Sequence, residues 1–159
     1  MLTEHQPRGL LRLFLRMPIV LYRMHFGWLL GNRFLMLTHL GRKSGLPRKT
    51  VLEVVDHNFE TGTYFVASGW RGKADWFLNI QLNPVVQIMA GRQTFKALAS
   101  VMQPAESASV FYNYALHHPQ AFREISRLMM GEVLQRTEED CLRLAQSVPL
   151  VMLKPADRQ

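Results

Sequence analysis

The sequence predicts an α+β domain, with a small antiparallel sheet or barrel first, helices late, and one strand returning at the end. Three observations predict it. Short apolar runs bounded by Gly, Pro, Asn and Asp recur through the first two thirds of the 159 residues. From Pro104 onward the apolar residues take helical spacing. Close to the end, Val148–Leu153 is again a compact apolar run.

Taken in order, an N-terminal segment over residues 1–32 comes first, followed by the body of a single domain over 33–159. Arg12, Arg16, Pro18 and Arg23 interrupt the Leu-, Phe- and Met-rich stretch, so no run reaches the ~20 apolar residues of a membrane span. No small-residue cleavage site follows it, which argues against a signal peptide. At 100° per residue, Arg8, Arg12, Arg16 and Arg23 fall on one broad arc, although Pro18 breaks the register. That pattern suits an interfacial amphipathic helix, and equally a pair of short helices packed on the domain.

Phe34–Leu37 reads as the first strand. Thr38–Thr50 then connects it to a second strand, Thr50–Val55. Asp56–Gly62 is a hairpin connection to Thr63–Ala67. A second glycine-rich, basic loop, Ser68–Asp75, leads to a short helix over Trp76–Leu82, opened by Ala74 or Asp75 and stopped by Asn83-Pro84. Val85–Met89 and Thr94–Val101 make another hairpin around Ala90-Gly91-Arg92. In the helical part Val110, Phe111, Tyr114 and Ala115 share a face, and His117-His118-Pro119 ends that helix. Phe122, Ile125, Leu128 and Met129 mark the next one. Thr137 with Asp140 resembles a capping box opening a helix that carries Leu142 and Ala145.

A net charge of +7 favours anionic partners: a phosphorylated cofactor, an anionic lipid surface or nucleic acid. The lone Cys141 excludes an internal disulfide and reads as a buried small hydrophobe. The most informative stretch is Thr38–Thr50. It holds Arg42, Lys43, Arg48 and Lys49 with Gly41 and Gly45 between two strand-like runs. Glycines let backbone N–H groups approach an anion, and Arg and Lys supply charge and donors. The expectation is a phosphate or carboxylate site; the plainer alternative is an exposed basic turn. It is not a Walker A loop, since no Lys follows Gly45 and a strand comes next. The chain has no G-x-G-x-x-G, no G-x-S-x-G and no H-E-x-x-H, and His39, His57, His117 and His118 lack metal-ligand spacing. His117 and His118 suit a helix end, and Glu138, Glu139 and Asp140 a helix start. If the chain is an enzyme, a bound cofactor does the chemistry.

Five segments in register resemble the deazaflavin-dependent nitroreductases, a branch of the flavin/deazaflavin oxidoreductases with a split β-barrel. They are Leu37–Gly45 with Pro47-Arg48, Ala67-Ser68-Gly69, Asp75–Asn79, Asn83–Val86 and Pro149–Pro155. The resemblance spans about residues 15 to 156. It implies an FMN-binding-like split barrel with N-terminal and C-terminal flanking helices, the cofactor-binding domain being 33–159. It implies the 8-hydroxy-5-deazaflavin coenzyme (F420 type), whose tail carries a phosphodiester and a glutamate chain, with FMN or haem as the alternative in the same fold. It implies that Arg42, Lys43, Ser44 and Arg48, with Thr50 at the end of the same connection, hold that tail. Ala67, Ser68 and Gly69 would line the ring, with Ser68 the catalytic contact, and Trp76 and Asn79 would close the pocket. Trp76 read by itself is a core aromatic, and Asn79 a residue at the approach to Pro84. Gly69 stands where a basic residue often follows the serine, so Arg71 or Lys73 would substitute; Val51 stands where a proline is common.

The implied reaction passes hydride to a small apolar acceptor, a quinone or nitroaromatic. The expected location is cytoplasmic; the arginine arc of the N-terminal segment, not the resemblance, points to an anionic membrane surface on the inner face of the cell membrane as a second partner, and no nucleic acid and no metal are expected. A non-catalytic membrane-surface or RNA-binding module is the alternative of another class. RNA-binding barrels carry exposed aromatics on strands, whereas Phe34, Tyr64 and Phe65 lie within apolar runs.

Overall fold

A computed structural model of the chain describes residues 33–69 and 72–156. The N-terminal segment and its arginine arc, together with Arg71, lie outside the described residues. Six strands, β1 (Phe34–Leu40), β2 (Pro47–Asn58), β3 (Thr63–Ala67), β4 (Val85–Ala90), β5 (Gln93–Val101) and β6 (Leu150–Pro155), close into an antiparallel barrel in the order β1-β2-β3-β6-β5-β4. Among the described residues four helices accompany them: α1 (Asp75–Leu82), α2 (Pro104–His117), α3 (Pro119–Met130) and α4 (Glu138–Ser147). This is the α+β split barrel the sequence leads one to expect. No described helix is long and apolar enough to cross a membrane.

Two cores follow from strand alternation. Leu35, Leu37, Leu52, Val66, Ile88, Ala97 and Leu153 face the barrel interior, and α1 adds Trp76, Phe77 and Ile80 to the same cluster. The second core lies between the outer barrel face and the late helices. Val55 and Leu150 meet Phe111, Tyr114, Phe122, Leu144 and Val148 there. Phe111 and Phe122 are almost fully buried, each contributing on the order of 2 kcal/mol or more by area removed from water. One register shift on β2, between Val54 and Asp56, changes which residues face inward. Val54 opposes Val66 before it, and His57 opposes Tyr64 after it. The His57 ring then stacks on Tyr64 with centroids 3.8 Å apart.

Several boundaries differ from the sequence reading. β1 continues to Leu40 and β2 starts at Pro47, so the long connection shrinks to Gly41–Leu46. The polar pairs Thr38↔Lys49 and His39↔Arg48 stay in the ladder because backbone groups, not side chains, hold it. β2 also runs on to Asn58, shortening the expected hairpin connection. The last strand is Leu150–Pro155 rather than Val148–Leu153, because Val148 caps α4 with its N–H on Leu144 O at 2.8 Å.

On α3, Leu128 is 71% exposed, and Ser126 is buried in the place expected for an apolar residue. Its hydroxyl donates to Phe122 O at 2.7 Å, which makes a polar residue tolerable there. On α4 the buried face is Cys141, Leu144 and Ala145, with Leu142 outward. Thr137 does cap α4, accepting from Asp140 N, but the Asp140 carboxylate turns to Gln135 N instead of returning the bond.

Candidate cofactor-binding site

The turn between β1 and β2 closes on itself. Gly41 N donates to Leu46 O at 2.9 Å, Gly45 N to Gly41 O at 2.8 Å, and Leu46 N to Ser44 Oγ at 3.2 Å. Glycine is favoured at both corners, by backbone conformation at Gly45 and by the Ser44 hydroxyl's present position at Gly41. Gly45 sits at φ 69°, in the left-handed region, and a Cβ on Gly41 would stand 2.6 Å from Ser44 Oγ. Lys43, Ser44 and Arg48 are exposed.

Arg42 is different, for it folds back onto α1. Its backbone N–H donates to Asn79 Oδ1 at 3.0 Å and its Nη1 to the same oxygen at 2.9 Å. Both Nη atoms also approach Asp75 Oδ1 at 3.3 Å. The Asn79 Nδ2 amide lies 3.1 Å from His39 Nδ1. His39 and Asn79 are both 4% exposed. Burial lowers the His39 pKa to about 4, with Asp75 raising it and Arg48 lowering it as smaller effects. The imidazole is therefore neutral. Arg48 and Thr50 lie on the same face of β2, opposite His39 and Leu37. The four side chains His39, Asn79, Arg42 and Asp75 join β1, the turn and α1 into one unit.

The second predicted segment follows β3, where Ala67 pairs with Leu150. Ser68 is fully buried. Its N–H donates to Pro149 O at 2.8 Å and its hydroxyl to Gly69 O at 3.3 Å. A Cβ on Gly69 would come within 3.2 Å of the Met129 Cε, the far end of a flexible side chain on α3. Trp76 is 6% exposed, within the interior core and edge-on to Phe77.

Among the ten predicted residues, the structure thus brings Arg42 and Asn79 into direct contact, with Lys43 and Ser44 on the same turn and Arg48 and Thr50 on the adjoining strand. The Ser68 segment bonds elsewhere, to Pro149 O and Gly69 O. His39 and Asp75 were not anticipated as site residues. Their signal is the strand pairing that sets His39 opposite Arg48 and the helix that carries Asp75 one turn before Asn79.

The donor set suits a polyanionic tail. Lys43 and the Ser44 hydroxyl present charge and donors to solvent from a turn whose shape is already fixed, and Arg48 does so from the adjoining start of β2. The Arg42 guanidinium is partly spent on Asp75 and Asn79. Among the described residues, open clefts lie elsewhere. One, about 770 Å³, is lined by Glu53, Asp56, Tyr114, His118 and Glu124; another, about 740 Å³, by His57, Phe59, Tyr64, Arg92 and Lys96. None of the ten predicted residues lines either.

A family model described as F420H(2)-dependent quinone reductase matches residues 20–127 of the chain. No curated protein matches it. Among solved structures, an F420-H2 dependent reductase (FDR-A) is 18% identical with TM-score 0.54, the match covering 77% of this chain and 94% of that one. The haem storage protein HutZ from Vibrio cholerae is 19% identical with TM-score 0.54, covering 87% and 92%. A pyridoxamine 5'-phosphate oxidase-related, FMN-binding protein from Nostoc punctiforme is 11% identical with TM-score 0.56, covering 94% and 83%. Likeness at this level shows the fold, which proteins of several cofactor classes share.

Proposed function

The chain belongs to the F420H(2)-dependent quinone reductase family, a family of oxidoreductases that use the F420 deazaflavin, and from that premise we propose how its residues serve the reaction and what it reduces. When bound, the reduced deazaflavin supplies a hydride, and the acceptor is a small apolar molecule, a quinone or a nitroaromatic. Lys43 and the Ser44 hydroxyl from the Gly41–Leu46 turn, with Arg48 from the start of β2, hold the anionic tail. Arg42 contributes charge to the same site while anchoring the turn to Asn79. Thr50 borders the tail on β2. The Ala67–Gly69 backbone lines the ring, and Ser68 donates a hydrogen bond to it by turning away from Gly69 O. Trp76 supports the pocket from within the core.

The observation that carries this reading is the self-closed turn with exposed cations, held to α1 by one buried amide. The proposal extends to an anionic membrane surface as the source of a lipid-soluble acceptor, motivated by Arg8, Arg12, Arg16 and Arg23 in the sequence. Co-sedimentation with anionic vesicles that salt reverses tests that part.

The experiment for the site is a fluorescence titration of the protein with F420. Lys43→Ala and Arg48→Ala each weaken binding by about 1.5–3 kcal/mol, the scale of charge-assisted hydrogen bonds. Unchanged affinity in both, with the fold intact, removes the turn from the site. Consumption of reduced F420 on addition of a short-chain quinone or a nitroaromatic then identifies the acceptor class.

A further inference from the structure

We propose that His39 is a positioning residue for the cofactor-binding turn, holding the Asn79 amide in the one orientation that docks Arg42. The inference rests on the reading of the Gly41–Leu46 turn as the anion-binding element, and it adds what sets that element in place.

The bonds inside the turn fix its shape but not its location. Location relative to α1 comes chiefly from Asn79 Oδ1, which accepts from Arg42 N at 3.0 Å and Arg42 Nη1 at 2.9 Å, with the exposed Arg42–Asp75 pair a second link. A primary amide has one accepting oxygen and one donating NH2. With the oxygen committed to two donors on the turn, the NH2 must meet an acceptor, and it meets His39 Nδ1 at 3.1 Å. Both side chains are 4% exposed, so water is a poor substitute for either.

His39 Nδ1 accepts only as a lone pair, which requires the neutral imidazole with its proton on Nε2. A proton on Nδ1 would set donor against donor. If the amide rotated to relieve this, its NH2 would face the Arg42 N–H and guanidinium, which are donors too, and the clamp would open. The surroundings favour the neutral form. Burial lowers the His39 pKa to about 4, resisted by Asp75 on α1 and helped by Arg48 opposite on β2, while Arg42 on the turn pairs with that same Asp75.

Packing alone does not ask for a histidine. The preceding inward positions on β1 are Leu35 and Leu37, both fully buried, and burial at the third would be served by another apolar residue. What the imidazole adds is an acceptor aimed at one amide.

Nitrogen-15 NMR of histidine-labelled protein without cofactor tests the strut by itself. His39 is expected as the Nε2–H tautomer, neutral from about pH 7 to about pH 5. An Nδ1–H tautomer, or titration at the ordinary histidine pKa in folded protein, overturns the proposal. Affinity for F420 tests what the strut positions. His39→Asn puts a carbonyl oxygen near the place of Nδ1 and should keep affinity within about threefold, whereas His39→Leu, of similar bulk and without an acceptor, should weaken it about tenfold or more. Wild-type affinity in the Leu variant, or equal loss in both, overturns the positioning role.

Should the Leu variant not fold, Asn79→Asp keeps an oxygen for Arg42 and turns a second one toward His39. His39 should then hold a proton to higher pH with binding retained; an unshifted His39 titration overturns the proposal. A wild-type protein with no affinity for F420 overturns the binding reading instead, and the tautomer still decides the strut.

Discussion

The Gly41–Leu46 turn and the Ser68-Gly69 segment both place small polar residues at strand ends, yet they are secured in opposite ways. The first is fixed internally by its own backbone at the end of the β1–β2 ladder, and tied to α1 through side chains: Arg42 to Asn79 and Asp75, with Asn79 in turn on His39. Its remaining cation, Lys43, faces solvent. The second is tied by backbone, Ser68 N to Pro149 O, and its only hydroxyl is turned inward to Gly69 O. A side-chain tether can be cut by one substitution and leaves donors free for a ligand. A backbone tether survives most substitutions and commits its groups before any ligand arrives. The first arrangement suits binding, the second suits holding a flat surface in place.

Cutting the tether is the sharpest way to break this contrast. Asn79 carries three side-chain hydrogen bonds in a buried setting. Asn79→Leu should cost about 3 kcal/mol of stability and weaken F420 binding more than tenfold, because each bond contributes about 1 kcal/mol and the donors left behind are partly desolvated. Urea unfolding and F420 titration measure the two effects. A normal affinity in a destabilised variant would show that the turn holds its place without the amide.

The same tether should carry a pH signature that the second segment lacks. The folded pKa of His39, about 4, lies below its unfolded value of 6.5, so the unfolded chain binds the extra proton between them. Stability attributable to this group is therefore complete above pH 6.5 and falls as pH drops toward 4, by at most about 1.4 kcal/mol per unit. At about pH 5 the wild type should have lost roughly 2 kcal/mol that a His39→Leu variant does not lose. Parallel stability curves for the two proteins would place the pH dependence elsewhere.

Much of this was legible in the residues, for reasons particular to each element. The cations and glycines of the turn are adjacent in sequence, so their chemistry could be read directly. Asn83-Pro84 stops α1 because proline lacks the N–H a helix needs, and Asn83 is its C-cap. Closure of the barrel was not in the periodicity. It depends on β1 pairing with β4, Met36 with Met89, over a separation no local pattern encodes, and the family resemblance supplied it. The His39–Asn79 contact, 40 residues apart, is hidden for the same reason. So is the commitment of Arg42 to Asp75, which makes one of the predicted tail-binding cations a tether as well. On α3 the apolar count pointed to Leu128, but tertiary packing selected Ser126, whose hydroxyl satisfies itself within the helix.

For the second segment, Ser68→Ala separates a surface from a donor. A donor aimed permanently at developing charge contributes a few kcal/mol. The Ser68 hydroxyl already donates to Gly69 O, so redirecting it exchanges one hydrogen bond for another. The expected loss in kcat is about fivefold, near 1 kcal/mol, with F420 affinity unchanged. A loss of a hundredfold or more would mean that the hydroxyl points at the reacting centre throughout turnover; no loss at all would leave only the backbone in contact.

The smallest effect has the opposite sign. Asp75 is a carboxylate 65% exposed at the start of α1, 3.3 Å from the Arg42 guanidinium. An exposed ion pair of this kind contributes about 0–1 kcal/mol, and a carboxylate in the first turn gains a few tenths more from the helix dipole. Asp75→Asn should therefore lower stability by less than about 1 kcal/mol. Yet the same carboxylate offsets one of the charges that a polyanionic tail needs. Removing it should tighten F420 binding about two- to threefold at low salt, an advantage that shrinks as salt screens the exposed charges. Lys43→Ala, Arg48→Ala, His39→Leu and Asn79→Leu all weaken binding, so this one separates electrostatic attraction from structural support. If affinity falls in step with stability, Asp75 serves mainly to hold Arg42 still, and the attraction of the turn for anions comes from Lys43 and Arg48 alone.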